Sequence, residues 1–403
     1  MKYRAHTRIY TAVALIALAF TMVSGAGAQT ETILHSFTAG ADGGEPIGGL
    51  ISDTEGNLYG ATEIGGENSA GAIYEMTPST SGTWTETVLY SFSFTSNQGI
   101  IPSSGLVFDK QGNLYGVAEG GTSGAGVIYG LSPGLNGVWT ETAIYNFSNG
   151  TDGSSGFLAG LAVDASGNLY GTTQNGGAYG YGTVFVLVRG TNGSWSKKIL
   201  HSFSYNDDGG EPFAENLVLD TAGNVYGTTL DGGAHDYGVV FELIRGSSGS
   251  WSEKVLHSFT GGADGSGPEG GLTLDAAGNL YGCSSYSVFQ LVPTSSGEWT
   301  ENILHTFTGG TDGSGPDSAP TFDKAGNLFG TTNAGGKHRG TVFELTHQAN
   351  GTWTERILHR FAETGGDGTF PFYTELVIDS KGNLYGTAGG GTSNDGVVFE
   401  VTP

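Results

Sequence analysis

Gly56-Asn57-Leu58-Tyr59-Gly60 is the first of seven copies of one pattern in this chain of 403 residues. Two copies differ by one residue each, with Val225 in place of the Leu and Phe329 in place of the Tyr. The other copies begin at Gly112, Gly167, Gly223, Gly278, Gly326 and Gly382, at spacings of 56, 55, 56, 55, 48 and 56 residues. Self-similarity at such a period predicts a repeat architecture that covers almost the whole chain.

Each unit holds four stretches with the character of short strands. In the first unit they are residues 50–53, 58–62, 71–75 and 84–92, separated by turn-forming residues such as Asp53 and Gly56. Four short strands in a repeat of this length are typical of one blade of a β-propeller. The motif is therefore predicted to form a turn and the start of the second strand, not a catalytic site.

The two ends of the chain predict that the ring of blades closes. The last unit stops after its third strand, at residues 399–403, whereas residues 30–37 read as a fourth strand without a unit. Pairing them completes a seventh blade and removes two exposed strand edges. We predict an all-β fold, a single closed seven-bladed β-propeller of four-stranded blades at residues 29–403, closed by the N-terminal strand. The blades are expected at about 49–92, 105–147, 160–203, 216–259, 271–307, 319–361, and 375–403 plus 29–37.

The N-terminus has the pattern of a secretory signal peptide. Lys2, Arg4 and Arg8 precede an apolar run at residues 12–23, and Ala26-Gly27-Ala28 is typical of a cleavage site. Residues 1–28 are therefore expected to be removed on export. The run is too short for a comfortable membrane span and no second one follows, so no transmembrane segment is predicted. The expected location is the periplasm or the extracellular space.

Acidic residues dominate the composition. The 15 Lys and Arg residues against 39 Asp and Glu residues give a net charge of −24. Nucleic acid and anionic membranes bind to basic faces, so both are excluded as favoured partners. The single cysteine, Cys283, excludes an intramolecular disulfide and a metal site built from several cysteines. We expect a monomer that is stabilised by ring closure and packing.

Two units carry a longer signature. Residues 171–177 read GTTQNGG and residues 182–185 read GTVF, while residues 330–336 read GTTNAGG and residues 340–343 again read GTVF. This pattern resembles the GloVer tandem repeat of the bacterial "choice-of-anchor" surface proteins, over essentially the whole mature chain. The resemblance implies a propeller and export, but no activity. Relatives often carry a C-terminal sorting anchor. Because this chain ends at Pro403 without such a tail, we expect release or periplasmic residence.

Two kinds of loop are expected to share one face of the disc: the connections from the fourth strand to the next blade, and those between second and third strands. The first kind carries an Asp-Gly pair six times, at Asp42, Asp152, Asp208, Asp264, Asp312 and Asp367. A ring of these carboxylates around a channel mouth would gather cations such as Ca²⁺. Asp-Gly is also a common turn former, so the turn interpretation is favoured and no cofactor is predicted.

Residues on this face that depart from the repeat are the candidate ligand-binding residues, because the scaffold does not require them. Aromatic rings beside carboxylates suit the stacking and hydrogen bonding of sugar rings. The candidates are Tyr179, Tyr181, Tyr205, Asp207, Asp208, Glu211, Asp231, His235, Asp236, Tyr237, His338, Phe370, Phe372 and Tyr373. Ordinary loop variation accounts for the same residues without a ligand.

Repetition without a recognisable catalytic constellation favours an exported, non-catalytic binding scaffold with a glycan or protein ligand, in the cell envelope or outside the cell. The alternative is a polysaccharide-active glycoside hydrolase or lyase. Such an enzyme would pair Asp207 or Asp208 with Asp231 or Asp236 as its two carboxylates.

The fourth strand carries two further recurring positions. One holds His35, His201, His257, His305 and His359, with Tyr90 and Tyr145 in the other two units. This interchange predicts packing with one polar contact. The second position holds Glu31, Glu86, Glu141, Glu253, Glu301 and Glu355, with Lys197 in the remaining unit, and is predicted to be a solvated edge. The fifth unit has lost about seven residues after Gly282, which predicts a low rim there.

Overall fold

The computed structural model describes residues 30–95, 98–154, 160–213, 216–337, 339–362 and 366–403. The predicted signal peptide at residues 1–28 lies outside the described residues, as does the candidate residue His338. The described part of the chain forms seven antiparallel sheets and two short 3-10 helices, Leu135–Gly137 and Gly150–Asp152. In that part no helix has the length and apolar character needed to cross a membrane.

The strands follow one another in blade order. The first strand, β1 (Thr30–Ser36), belongs to blade 7. Blade 1 contains β2 (Gly44–Ser52), β3 (Leu58–Ile64), β4 (Ala72–Pro78) and β5 (Trp84–Ser91). Blade 2 contains β6 (Ile100–Pro102), β7 (Val107–Phe108), β8 (Leu114–Glu119), β9 (Val127–Pro133) and β10 (Trp139–Asn146). Blade 3 contains β11 (Leu161–Val163), β12 (Leu169–Thr173), β13 (Thr183–Arg189) and β14 (Trp195–Ser202).

Blade 4 contains β15 (Val218–Leu219), β16 (Val225–Thr229), β17 (Val239–Arg245) and β18 (Trp251–Ser258). Blade 5 contains β19 (Leu272–Leu274), β20 (Leu280–Ser284), β21 (Ser287–Pro293) and β22 (Trp299–Thr306). Blade 6 contains β23 (Thr321–Phe322), β24 (Leu328–Thr332), β25 (Thr341–His347) and β26 (Trp353–Arg360). Blade 7 contains β27 (Gly368–Thr369), β28 (Val377–Ile378), β29 (Leu384–Gly390) and β30 (Val397–Thr402), with β1 as its outer strand.

The ring closes through blade 7. Strand β1 pairs antiparallel with β30, from Thr30 opposite Thr402 to Ser36 opposite Val397. In blades 2 and 7 the inner strand is interrupted, because β6 and β7 both pair with β8, and β27 and β28 both pair with β29. With each interrupted strand counted once, the predicted all-β fold of seven four-stranded blades, closed by the N-terminal strand, is confirmed.

The repeated motif builds a turn by satisfying backbone groups with one carboxylate. Asp53 Oδ1 accepts the backbone N–H groups of Glu55 and Asn57, each at 2.9 Å. Asp53 Oδ2 accepts the Asn57 side-chain amide at 2.8 Å and the Tyr59 hydroxyl at 3.1 Å. Gly56 has a φ of +89°, a conformation that glycine adopts readily. The structural interpretation of the motif is thus confirmed.

Neighbouring blades are joined by aromatic packing. The Tyr of the motif lies against the Trp that opens the outer strand of the following blade, for instance Tyr59 against Trp139 and Tyr115 against Trp195, with ring centroids 6.5 and 6.0 Å apart. Each hydrophobic cluster combines residues of two adjacent blades. Such contacts bury both faces of every sheet, which lets blades with so much glycine form a core.

The connections between blades make close backbone contacts. Gly182, which has a φ of +96°, lies against Pro212 of the next blade, and a Cβ atom placed on Gly182 would lie 2.5 Å from Pro212 Cδ. The same Gly-Pro contact recurs at Gly71, Gly238, Gly340 and Gly396. Only glycine fits both the backbone conformation and the space at this position.

The first strands of the blades surround the axis and leave little room. Asn216 of blade 4 and Glu375 of blade 7 replace glycine at a position that is Gly49, Gly105, Gly160 and Gly271 in four other blades. Asn216 Nδ2 donates to Glu375 Oε2 at 3.1 Å, which joins blades on different sides of the ring. Burial raises the pKa of Glu375 to about 7. The cavity beside this pair has a volume of only about 130 Å³.

Candidate functional site

The two kinds of predicted loop do share one face, called the loop face below. The backbone N–H of Gly66, after β3, donates to the carbonyl of Gly40, after β1, at 2.8 Å. The N–H of Glu45 donates to the carbonyl of Asp395 in the preceding blade at 2.7 Å. Bonds of this kind link the loops of adjacent blades into one surface.

The Asp-Gly carboxylates lie at the outer rim of this face. Asp264 Oδ2 accepts the backbone N–H of Thr260 at 2.8 Å, and Oδ1 accepts the Thr260 hydroxyl at 2.6 Å. Thr260 lies just after the outer strand β18. Asp42 and Asp312 make the same contacts in their blades. The turn interpretation is confirmed. The expected ring of carboxylates around a channel mouth is wrong, because each carboxylate holds the turn at the end of an outer strand.

The recurring His and Glu positions meet these aspartates where two blades join. Each of five junction clusters combines a His of one outer strand, the Asp of the following Asp-Gly pair and a Glu of the next outer strand. The clusters are His35, Asp42 and Glu86; His201, Asp208 and Glu253; His257, Asp264 and Glu301; His305, Asp312 and Glu355; and His359, Asp367 and Glu31.

The glutamates of the junction clusters are not a solvated edge. The side chain of Glu301 is 15% exposed, and its Oε1 is buried without a hydrogen-bond partner among the described residues. Burial and the charge of Asp264 raise the pKa of Glu301 to about 7. Sequence reasoning missed these clusters, although the fixed recurrence of all three positions was visible. The Glu of each cluster belongs to the repeat that follows the His, so the pattern within one repeat does not show that the two side chains meet.

Several candidate residues of blades 3 and 4 do come together. The rings of Tyr181 and Tyr205 lie 4.9 Å apart, and the N–H of Glu211 donates to the Tyr181 carbonyl at 2.9 Å. Burial and the charge of Asp236 raise the pKa of Asp231. Tyr179, Asp207, His235 and Tyr237 are exposed. These residues form an acidic and aromatic patch on the loop face.

The remaining aromatic candidates form a series that crosses the centre of the loop face. Phe213 of blade 4 packs against Tyr373 of blade 7 at 5.9 Å, Tyr373 lies 6.3 Å from Phe372, and Phe372 lies 6.0 Å from Phe370. The guanidinium of Arg339 lies 4.7 Å from the centre of the Phe370 ring.

A cavity of about 540 Å³ lies beside this series, between blades 7 and 1. Phe370, Phe372 and Arg339 line one side, and the lining also includes the acidic residues Glu45, Glu63, Asp367 and Asp395. Burial and the nearby charges of Glu45 and Glu119 raise the pKa of Glu63 to about 7. Glu63 Oε1 is buried and has no hydrogen-bond partner among the described residues. The cavity thus combines the exposed ring of Phe372 and the half-buried ring of Phe370 with a carboxyl group of raised pKa.

A second pair of carboxyl groups lies near the axis, where sequence reasoning predicted none. Asp317 is 3% exposed, and its Oδ2 accepts the Asn333 amide at 3.0 Å. The pKa of Asp317 is raised to about 7, chiefly by burial and also by the charge of Glu269. Glu269 in turn accepts the Tyr373 hydroxyl at 3.1 Å. Both carboxyls border a cavity of about 220 Å³ beside Ser285, in the shortened connection of blade 5.

The carboxylate pairing required by the enzyme alternative is not favoured. Asp208 accepts the backbone N–H and the hydroxyl of Ser204 and contacts His201 Nε2 at 3.2 Å. Its carboxylate therefore has a structural role in the turn. A larger, shallow cavity of about 1160 Å³ lies away from the loop face between blades 5 and 6. Its carboxylates, Asp275 and Asp323, are used by the turns of the repeat.

Comparisons with known proteins agree with the repeat and the fold. The family model of the Gloeobacter/Verrucomicrobia repeat matches residues 19–185 and 138–290. No curated protein matches the chain. The extracellular domain of a protein described as a hybrid two-component system from B. thetaiotaomicron is 14% identical with a TM-score of 0.58, and the alignment covers 93% of this chain and 42% of that one.

A second solved structure, virginiamycin B lyase from Staphylococcus aureus, is 14% identical with a TM-score of 0.55, over 93% of this chain and 99% of that one. At these identities the similarity shows the propeller fold alone.

Proposed function

This chain belongs to the Gloeobacter/Verrucomicrobia repeat family, and we propose that it is an exported, non-catalytic scaffold whose loop face binds a neutral glycan. The observation that carries the proposal is the Phe370–Phe372 pair beside the cavity of about 540 Å³. Its signal-like N-terminus supports export to the periplasm or the extracellular space.

The ring geometry suits stacking on a flat apolar ligand face. Phe372 is 50% exposed, and its plane lies within 21° of the Phe370 plane. Neighbouring apolar rings that form a contiguous patch often mark a binding surface, and aromatic side chains offer a large contact area for few rotatable bonds. Phe370 also makes a cation–π contact with the guanidinium of Arg339, which stabilises the position of its ring.

The cavity supplies the polar partner that sugar hydroxyls need. A carboxyl group that holds its proton near neutral pH, as Glu63 does, both donates and accepts hydrogen bonds. Glu63 lines the cavity, so we expect its carboxyl group to bond a ligand hydroxyl there. The net charge of −24 opposes polyanionic glycans, so the proposal is limited to neutral ones.

Isothermal titration with neutral oligosaccharides selected from a glycan array tests the proposal. Phe372→Ala and Glu63→Ala, which remove the exposed ring and the carboxyl group, are each expected to weaken binding by about tenfold or more. Leu135→Ala is the matched control, because Leu135 is an exposed apolar residue of a third-to-fourth-strand turn, away from the loop face. A wild-type chain that retains no glycan, or variants that bind like wild type, would contradict the proposal. Release of new reducing ends would contradict its non-catalytic part.

A further inference from the structure

The junction clusters place three metal-binding side chains around one point at the rim of the disc. In the cluster between blades 4 and 5, His257 Nε2 lies 3.4 Å from Asp264 Oδ2 and 3.5 Å from Glu301 Oε1. One donor atom from each residue lies within 4.8 Å of the others, and the same holds for His359, Asp367 and Glu31. Donors that share one tetrahedral zinc ion at about 2.0–2.2 Å lie roughly 3.3–3.6 Å apart.

These donor atoms are poorly satisfied by the protein itself. His257 Nε2 and Glu301 Oε1 are buried, and the polar contacts of His257 Nε2 are with the other two members of the cluster. At the other site, His359 Nε2 likewise contacts Asp367 Oδ1 at 3.2 Å. Asp264, by contrast, is held in place by Thr260 and by the N–H of Gly262. The His257 ring is fixed by its edge contact with Phe259 at 4.7 Å. An oriented ligand set whose open positions face one another is what a bound ion requires.

A sixth junction shows that a cation fits at this point. Between blades 2 and 3, Tyr145, Asp152 and Lys197 occupy the positions of His257, Asp264 and Glu301. Lys197 Nζ lies 3.0 Å from Asp152 Oδ1, also donates to the Asp152 carbonyl, and is only 5% exposed. The aromatic wall beside it, Phe147 and Phe185, corresponds to Phe259 and Phe289. Where Lys197 replaces the Glu, its ammonium group places a positive charge at this point.

We propose that the junction clusters bind divalent transition-metal ions, with His257, Asp264 and Glu301 and also His359, Asp367 and Glu31 as complete three-residue sites. One imidazole and two carboxylates favour an ion of the zinc class over calcium, which takes six to eight oxygen ligands. A bound ion would join the outer strands of two blades and neutralise two facing carboxylates.

Titration of untagged, chelator-treated chain with ZnCl₂, with bound metal counted by elemental analysis after dialysis, tests this proposal. The informative variant is His257→Tyr with Glu301→Lys, which copies the junction of Tyr145 and Lys197 and is therefore expected to fold. It should bind one zinc ion fewer than wild type. Glu298→Lys, at an exposed turn, controls for the change of charge and should leave the number of bound ions unchanged.

His359→Tyr with Glu31→Lys provides the same test at the other complete site, in case the first variant does not fold. If this variant binds one zinc ion fewer than wild type, the proposal is supported. A wild-type chain that binds no zinc up to about 1 mM, or a folded double variant that binds as many ions as wild type, overturns it.

Discussion

Asp317 has a buried carboxyl group, and its contribution to the free energy of unfolding is expected to depend on pH. The side chain is 3% exposed, and burial together with Glu269 raises its pKa from 3.8 to about 7. Below pH 3.8 the carboxyl is protonated in both the folded and the unfolded chain. As the pH rises toward 7, only unfolded chains release the proton, so the free energy of unfolding falls, and it stops falling above the folded pKa.

The size of this effect follows from the same two pKa values. Each unit of pKa difference corresponds to about 1.4 kcal/mol, so between about pH 5 and pH 8 Asp317 should lower the free energy of unfolding by roughly 2–3 kcal/mol. Asp317→Asn keeps the shape of the side chain but cannot ionise, and it replaces one acceptor oxygen by an amide NH2 group. Relative to wild type, the variant should therefore gain about this much stability between pH 5 and pH 8.

Chemical unfolding followed by tryptophan fluorescence at the two pH values measures the difference. Any pH-independent effect of the amide cancels when the two values are subtracted. Asp207→Asn, which removes an exposed carboxylate from the same face, controls for the loss of one negative charge. If the stability difference between Asp317→Asn and wild type were the same at both pH values, the assignment of Asp317 as a buried acid would be refuted.

Two further predictions concern the packing between blades. Gly182→Ala should lower the free energy of unfolding by more than about 2 kcal/mol, because the residue has a positive φ and the new Cβ would clash with the next blade. Gly193 also has a positive φ but lies in open space, so Gly193→Ala should lower it by only about 1 kcal/mol. Equal losses in thermal unfolding would contradict the role of the Gly-Pro contact. Asn216→Ala removes a hydrogen-bond donor to Glu375 and should lower the free energy of unfolding by about 1–3 kcal/mol at pH 8. The loss should be smaller at pH 5, where the Glu375 carboxyl is protonated. An equal loss at the two pH values would contradict this role of Asn216.

The architecture was accessible from the sequence because it depends on what repeats. The spacing of the Gly-Asn-Leu-Tyr-Gly motif predicts the number of blades, and the orphan strand at residues 30–37 predicts closure. The role of Asp53 was also visible, since its partners lie within six residues. Contacts inside one unit follow from local turn chemistry, which one sequence contains in full.

Contacts between units were harder to predict. His257 and Glu301 recur at fixed positions, but periodicity does not show that an outer strand faces the connection of its neighbour. The contacts of Phe213 with Tyr373 and of Asn216 with Glu375 cross the axis, so they depend on the diameter of the closed ring. Of these residues, only Tyr373 is among the candidates that the departures from the repeat predict, and the three-dimensional arrangement was needed to show which side chains meet.

The pairing of β1 with β30 also sets an order of events during folding. Strand β1 is synthesised before all other strands, yet it pairs with β30, the last strand of the ring. Its seven residues stay without a neighbour until blade 7 is complete. A contact between such distant segments carries a high loop-closure entropy and is expected to form late. Synthesis of β30, rather than formation of any earlier blade, is then the event that commits this protein to its native ring.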